Sequence, residues 1–77
     1  MVTAILGMQV FINLHAVEKR GKRFYAKGRD LDNNPVQIIM DKYSAPNLMA
    51  NTYGYAHVLF IVSNGQTIRH NKYYSFG

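Results

Sequence analysis

An all-β fold is predicted by three features of this 77-residue sequence. Apolar and polar residues alternate over several short runs, the two-residue period of half-buried strands. Asn64-Gly65 stands between two β-rich runs, where a type I′ turn joins the strands of a hairpin. Clusters of turn formers, above all Asp30-Leu31-Asp32-Asn33-Asn34-Pro35, separate the other runs.

The first run covers residues 8 to 17. Met8, Val10, Ile12, Leu14 and Ala16 share one face; Gln9, Phe11, Asn13, His15 and Val17 share the other. A helical face through Ile5, Met8, Ile12 and Ala16 competes, but β-branched and aromatic content favours a strand. Glu18-Lys19-Arg20-Gly21-Lys22 follows as a polar turn, with glycine available for positive φ. In the second run Arg23, Tyr25, Lys27 and Arg29 share one face, and Phe24, Ala26 and Gly28 the other. A third strand, Val36 to Tyr43, puts Val36, Ile38 and Met40 together. Ser44 to Thr52 is a loop or a single helical turn, capped by Ser44 and running through Asn47, Leu48 and Met49. The fourth strand spans Tyr53 to Val62 and the fifth Thr67 to Phe76.

Five strands with one short helical turn allowed between the third and fourth predict a small OB-like barrel, a fold that often binds oligonucleotides. SH3-like barrels are an equally economical solution, and architecture does not decide function.

The chain is one domain's length, residues 1–77, and a core this small is marginal by itself. With no cysteine, neither a disulfide nor a thiolate metal site strengthens it, so a homodimer is expected. The N-terminal stretch lacks the leading cations of a signal peptide and is too polar and short to span a membrane. A soluble cytoplasmic protein, with no membrane partner, is the expectation.

Charge is concentrated. Lys19, Arg20, Lys22, Arg23, Lys27 and Arg29 stand against Glu18 alone, so this segment carries the whole net +5 of the chain. That distribution points to an anionic partner; the alternative is a hairpin that merely solubilises an apolar domain.

Signs of catalysis are absent from the sequence. His15, His57 and His70 have no metal-ligand spacing, and Asp30 and Asp32 sit in a turn, where aspartate hydrogen-bonds backbone amides. Ser44, Ser63 and Ser75 lack a nucleophile-elbow context, and the glycines make no phosphate-cradling motif. No enzyme activity and no cofactor or metal is expected. A basic strand interleaved with aromatics suits a different task. Side chains two apart on a strand lie about 7 Å apart on one face. Cations at that spacing neutralise phosphates, and rings stack on unpaired bases. Tyr25 is the ring within the ladder; Phe11, Tyr53, Tyr55 and Tyr73 are candidate extensions, although tyrosines in small barrels are commonly core-lining.

Lys19-Arg20-Gly21-Lys22-Arg23-Phe24, Asn34-Pro35-Val36-Gln37 and Tyr53-Gly54-Tyr55-Ala56-His57-Val58 occur in that order. Together they resemble the single-stranded-DNA-binding proteins of filamentous phages, the gene V type. The resemblance runs over roughly residues 19 to 62 and implies an OB-like dimer coating single-stranded DNA, encoded by a virus, serving DNA replication and working in the host cytoplasm. It implies Phe24 as the stacking aromatic, whereas strand alternation selects Tyr25. A bulge near Gly21 would reconcile them. The segment between Gly21 and Pro35 is shorter than the family's, so its DNA-binding wing would be truncated.

The function expected is therefore sequence-independent binding of single-stranded DNA, with RNA a variant. The expected contacts are Lys19, Arg20, Lys22, Arg23, Phe24, Tyr25, Lys27, Arg29, Tyr53 and Tyr55. The competing expectation is a small interaction protein, phage-encoded in one version, whose basic hairpin docks on an acidic protein.

Overall fold

The computed structural model describes residues 3–6, 10–13, 16–47 and 49–76. Its strands are β1 (Thr3–Leu6), β2 (Val10–Asn13), β3 (Glu18–Arg20), β4 (Arg23–Asp30), β5 (Pro35–Ser44), β6 (Gly54–Ser63) and β7 (Gln66–Phe76). They form one antiparallel sheet in the order β1-β2-β4-β5-β6-β7. Both β2 and β3 pair with β4, β2 beside Gly28–Asp30 and β3 beside Arg23–Tyr25. The strand order is a sequential meander with no Greek-key step. The outermost strands β1 and β7 approach each other without pairing among the described residues, so the fold is all-β and barrel-like in its curl but open.

The second to fifth expected strands stand within a residue of their expected ends. The first, expected over residues 8 to 17, is a strand over Val10–Asn13, and Ala16 and Val17 lie outside any strand; Glu18–Arg20, expected as part of a turn, is a strand of its own. The polar turn expected over Glu18–Lys22 is correspondingly shorter. Only Gly21 and Lys22 turn, with positive φ at Gly21 alone, as in a type II′ hairpin. That turn keeps the β3–β4 register regular, so no bulge shifts parity there. Asn64 and Gly65 both have positive φ, 52° and 75°, the pattern of the type I′ turn read from the sequence.

No helical turn forms between β5 and β6 among the described residues. Asn47 and Thr52 instead make an isolated antiparallel bridge, and the Asn47 side-chain oxygen accepts from the amides of Met49 and Ala50. An asparagine oxygen on two amides stabilises a tight loop in place of a helical turn. Leu48, Met8, Leu14, His15 and the Phe11 side chain lie outside the described residues.

The core is the inner face of this sheet. Ile12, Ala26, Val36, Ile38, Met40, Ala56 and Val58 are buried, and Phe24, Tyr43, Ile61, Tyr74 and Phe76 pack against them. Register explains the set: Ala26 pairs with Ile38, which pairs with Ile61, and Met40 lies between Phe24 and Val58. Two bulges keep the apolar residues inward. Asp41 is the extra residue on β5 and Leu59 on β6. Each extra residue resets the alternation, so Tyr43 and Ile61 return to the inner side. Gly54 marks a close approach at the sheet's end, where a Cβ would stand 2.6 Å from Phe76 and 2.7 Å from the Ser44 carbonyl oxygen. No helix in the described residues is long and apolar enough to cross a membrane.

Candidate nucleic-acid interface

The basic segment folds as the β3–β4 hairpin, and alternation divides it. Phe24 faces inward with Lys19, its cross-strand partner, whose Nζ lies 5.7 Å from the Phe24 ring centroid. Phe24 also meets Tyr43 at 5.8 Å between centroids. Its ring belongs to the core edge. Arg23, Tyr25, Lys27 and Arg29 occupy the outer face of β4, the three cations exposed and Tyr25 half-buried. Arg20 joins them from β3, directly opposite Arg23. Lys22 stands in the turn.

The outer-face cations differ in their local partners. Arg20 is paired with Glu18 at 3.2 Å, and its guanidinium lies 5.0 Å from the Tyr25 ring centroid. Arg29 donates through Nη1 to the Asn33 carbonyl at 3.0 Å. Lys22, Arg23 and Lys27 have no salt-bridge partner among the described residues. Arg29 is thus tied to the β4–β5 loop, which Asp30 organises from within. The Asp30 carboxylate accepts from the Asp32 and Asn34 amides at 3.0 and 2.8 Å. These bonds, the Asn34 amide foremost, hold its pKa below the usual carboxylate value. Beside this loop a cleft of about 990 Å³ opens toward the Asn64-Gly65 turn, with Lys27 and Arg29 among its walls and Ile12 and Val36 deeper.

Across the sheet the outer face continues in two rows. Glu18, Tyr25, Ile39, Phe60 and Arg69 are successive cross-strand partners, an apolar centre with charges at its ends. Lys42, His57 and Tyr73 form the second row on β5, β6 and β7. His57 donates through Nδ1 to Asp41 at 2.6 Å, and its Nε2 lies 2.7 Å from the Asn71 side-chain oxygen. Its ring stacks on Tyr73 at 4.1 Å and 9° between planes. The Asp41 bulge and the positive φ of Asn71, 49°, bring both partners to the imidazole.

Tyr55, also outward on β6, lies beyond this row between Ser44 and Ser75 and is 47% exposed; Tyr53 precedes β6 and is 80% exposed. The structure therefore gathers Arg20, Arg23, Tyr25, Lys27 and Arg29 on one face and puts Lys19 and Phe24 on the other. Tyr53 and Tyr55 stand apart from the hairpin. Sequence reasoning missed the Asp41–His57–Asn71 cluster, because its members are 16 and 14 residues apart and only strand register unites them. His70 bonds instead to the Tyr74 hydroxyl; burial, then Lys72, lowers its pKa. Among the described residues, no three His, Cys, Asp or Glu side chains group as metal ligands would.

Compared with family models, curated proteins and solved structures, the chain matches none.

Proposed function

We propose that this chain binds single-stranded nucleic acid, DNA first, through the outer face of the β3–β4 hairpin and without base preference. The Arg20–Arg23 pair carries this reading. Like charges directly opposite on neighbouring strands destabilise a hairpin. A phosphate between them removes that repulsion, and Lys27 and Arg29 continue the ladder for the next phosphates. Tyr25 supplies a ring in the same row for a base to stack on. Lys19 and Phe24 support the hairpin from the core side rather than contacting the strand. The reading is the one that the resemblance to gene V type proteins implies, and it carries with it the expectation of a homodimer, which would supplement a small core.

The test is fluorescence anisotropy of labelled oligothymidylate titrated with the protein over a range of salt. Each phosphate contact on a single strand contributes about −0.7 to the log–log slope, so four contacts give about −3. Replacing Arg23 and Lys27 with alanine should flatten that slope by about 1.4 and weaken binding to all sequences alike. These two are the cleaner pair, because Arg29 also holds the Asn33 carbonyl. Sedimentation of the same samples should show a dimer at tens of micromolar, roughly the range of weak dimers. A second reading, docking on an acidic protein, draws on the apolar row Tyr25, Ile39 and Phe60 between the charged ends. It gains if the protein shows no affinity for single strands at low salt.

A further inference from the structure

We propose that Tyr73, backed by His57, is a second base-stacking subsite with Lys42 as its phosphate contact, and that a strand held along β4 continues past Arg23 and across the β-strands to reach it. The inference rests on the single-strand reading above and adds a path and a second contact to it.

A stacking site needs a ring that is exposed, held in orientation and close to a cation. Tyr73 is 65% exposed although it stands mid-strand in β7. His57 lies flat against it, and Asp41 and Asn71 hold His57 by its two ring nitrogens. A histidine pinned from both ends fixes the ring that stacks on it, so little rotamer freedom is left to lose when a base arrives. Lys42 Nζ lies 6.0 Å from the Tyr73 ring centroid, within reach of a phosphate next to a stacked base.

Register connects this platform to the hairpin. Phe24 pairs with Met40, so Arg23 lies at the level of Asp41 and Lys42. The sequence Arg20, Arg23, Lys42, His57, Tyr73 therefore crosses β3, β4, β5, β6 and β7 in order. At about 4.8 Å per strand, β4 and β7 are some 14 Å apart. That lies well within the roughly 4–16 nucleotides that one small single-strand-binding barrel covers. A strand held by Arg20 and Arg23 at one end passes Lys42 and meets Tyr73 at the other.

Two oligonucleotides of equal length separate the contributions: oligothymidylate, and the same backbone with abasic residues. Tyr73→Ala should weaken oligothymidylate binding by about 5- to 150-fold and leave abasic binding and the salt slope unchanged. Tyr73→Ile, which keeps a strand-forming residue, should show the same loss, and Tyr73→Phe should bind like the parent. Lys42→Ala should weaken both ligands alike. If the parent protein binds oligothymidylate and Tyr73→Ala and Tyr73→Ile bind it equally well, the subsite is wrong while the hairpin reading stands. Equal losses on the abasic strand in both variants also overturn it, because the ring would then be structural. If the parent binds neither ligand at low salt, the single-strand reading itself falls.

Discussion

The two faces of β4 are made by neighbouring residues and have opposite surroundings. On the inner side Phe24, Ala26 and Gly28 meet Met40, Ile38 and Val36, all within the buried layer or at its edge. On the outer side Arg23, Tyr25, Lys27 and Arg29 face solvent, with Arg20 above Tyr25 and the loop at Asn33 holding Arg29. The inner face is constrained by packing, where a missing ring leaves a cavity. The outer face collects like charge: Arg20 has Glu18 and Arg29 has the Asn33 carbonyl as partners, while Arg20 and Arg23 repel each other across the hairpin. On the proposed reading, an anionic ligand between Arg20 and Arg23 would relieve that repulsion.

Exchanging the adjacent aromatics is the most direct way to break this comparison. Phe24→Ala removes a half-buried ring from between Lys19 and Tyr43 and should destabilise by about 3 kcal/mol, the lower end for large aromatic truncations. Tyr25→Ala should cost about 1 kcal/mol of stability, less than Phe24→Ala, since Tyr25 is half-buried on the outer face beside Glu18, Ile39 and Arg20 and outside the core. It should instead weaken oligothymidylate binding by about 1–3 kcal/mol. Thermal melts and anisotropy on the same two variants check both halves. A Tyr25→Ala protein that binds like the parent would make the outer face a solubilising surface.

The turns sharpen the same contrast at smaller cost. Gly65 has φ +75° and open space around its absent Cβ, so Gly65→Val introduces backbone strain without a clash. Strain of this kind costs about 1–3 kcal/mol. Thermal unfolding should record that loss, while affinity measured below the melting transition should change less than for a hairpin variant, because this turn is remote from the Arg20–Arg23 pair and only shares a cleft with Lys27 and Arg29. Gly21→Val, strained in the same way at φ +61°, should lose stability and affinity together, since its turn sets the spacing of that pair.

How far the sequence carried the fold follows from where alternation is unbroken. From Arg23 to Met40 it is regular, so both faces of β4 and the inner face of β5 were legible, and the alternation reading of Tyr25 over Phe24 agrees with the side each ring takes. Asn64-Gly65 was legible because a type I′ turn admits few residue pairs. Strict alternation would put Tyr43 opposite Met40; the Asp41 bulge brings it back inward. A bulge leaves no local mark in composition, because any residue can be the extra one. The first strand, expected over residues 8 to 17, was misread for the opposite reason: its alternation continues through Ala16 and Val17, which lie outside any strand, while the charged Glu18–Arg20, read as turn, forms β3. β1 was missed entirely. The hairpin cations were visible as a charge cluster, but the division of labour among them was not. Which cation faces Glu18, which holds the Asn33 carbonyl and which lacks a partner depends on residues across a turn or strand.

The smallest expected effect concerns the loop where the two faces of β4 end. Asp30 gathers the amides of Asp32 and Asn34, while Arg29 on the other side holds Asn33, itself at φ +63°. Hydrogen bonds to the ionised carboxylate lower its pKa below the ordinary 3.8. A carboxylate depressed on folding stabilises above its unfolded pKa, and that contribution is lost as pH falls through the lower folded value. Asp30→Asn keeps an oxygen for the amides and removes the charge. At neutral pH it should melt slightly below the parent protein. The difference should begin to narrow as the pH drops below about 3.8 and close once it passes the lower folded value, where the parent's own carboxyl becomes neutral. Melting curves of both proteins from neutral to acid pH decide it. A gap that persists in acid would mean that the loop depends on the geometry of the oxygens and not on their charge. Arg29 would then owe its position to the Asn33 carbonyl alone, and its share in the cation ladder would not change with the state of Asp30.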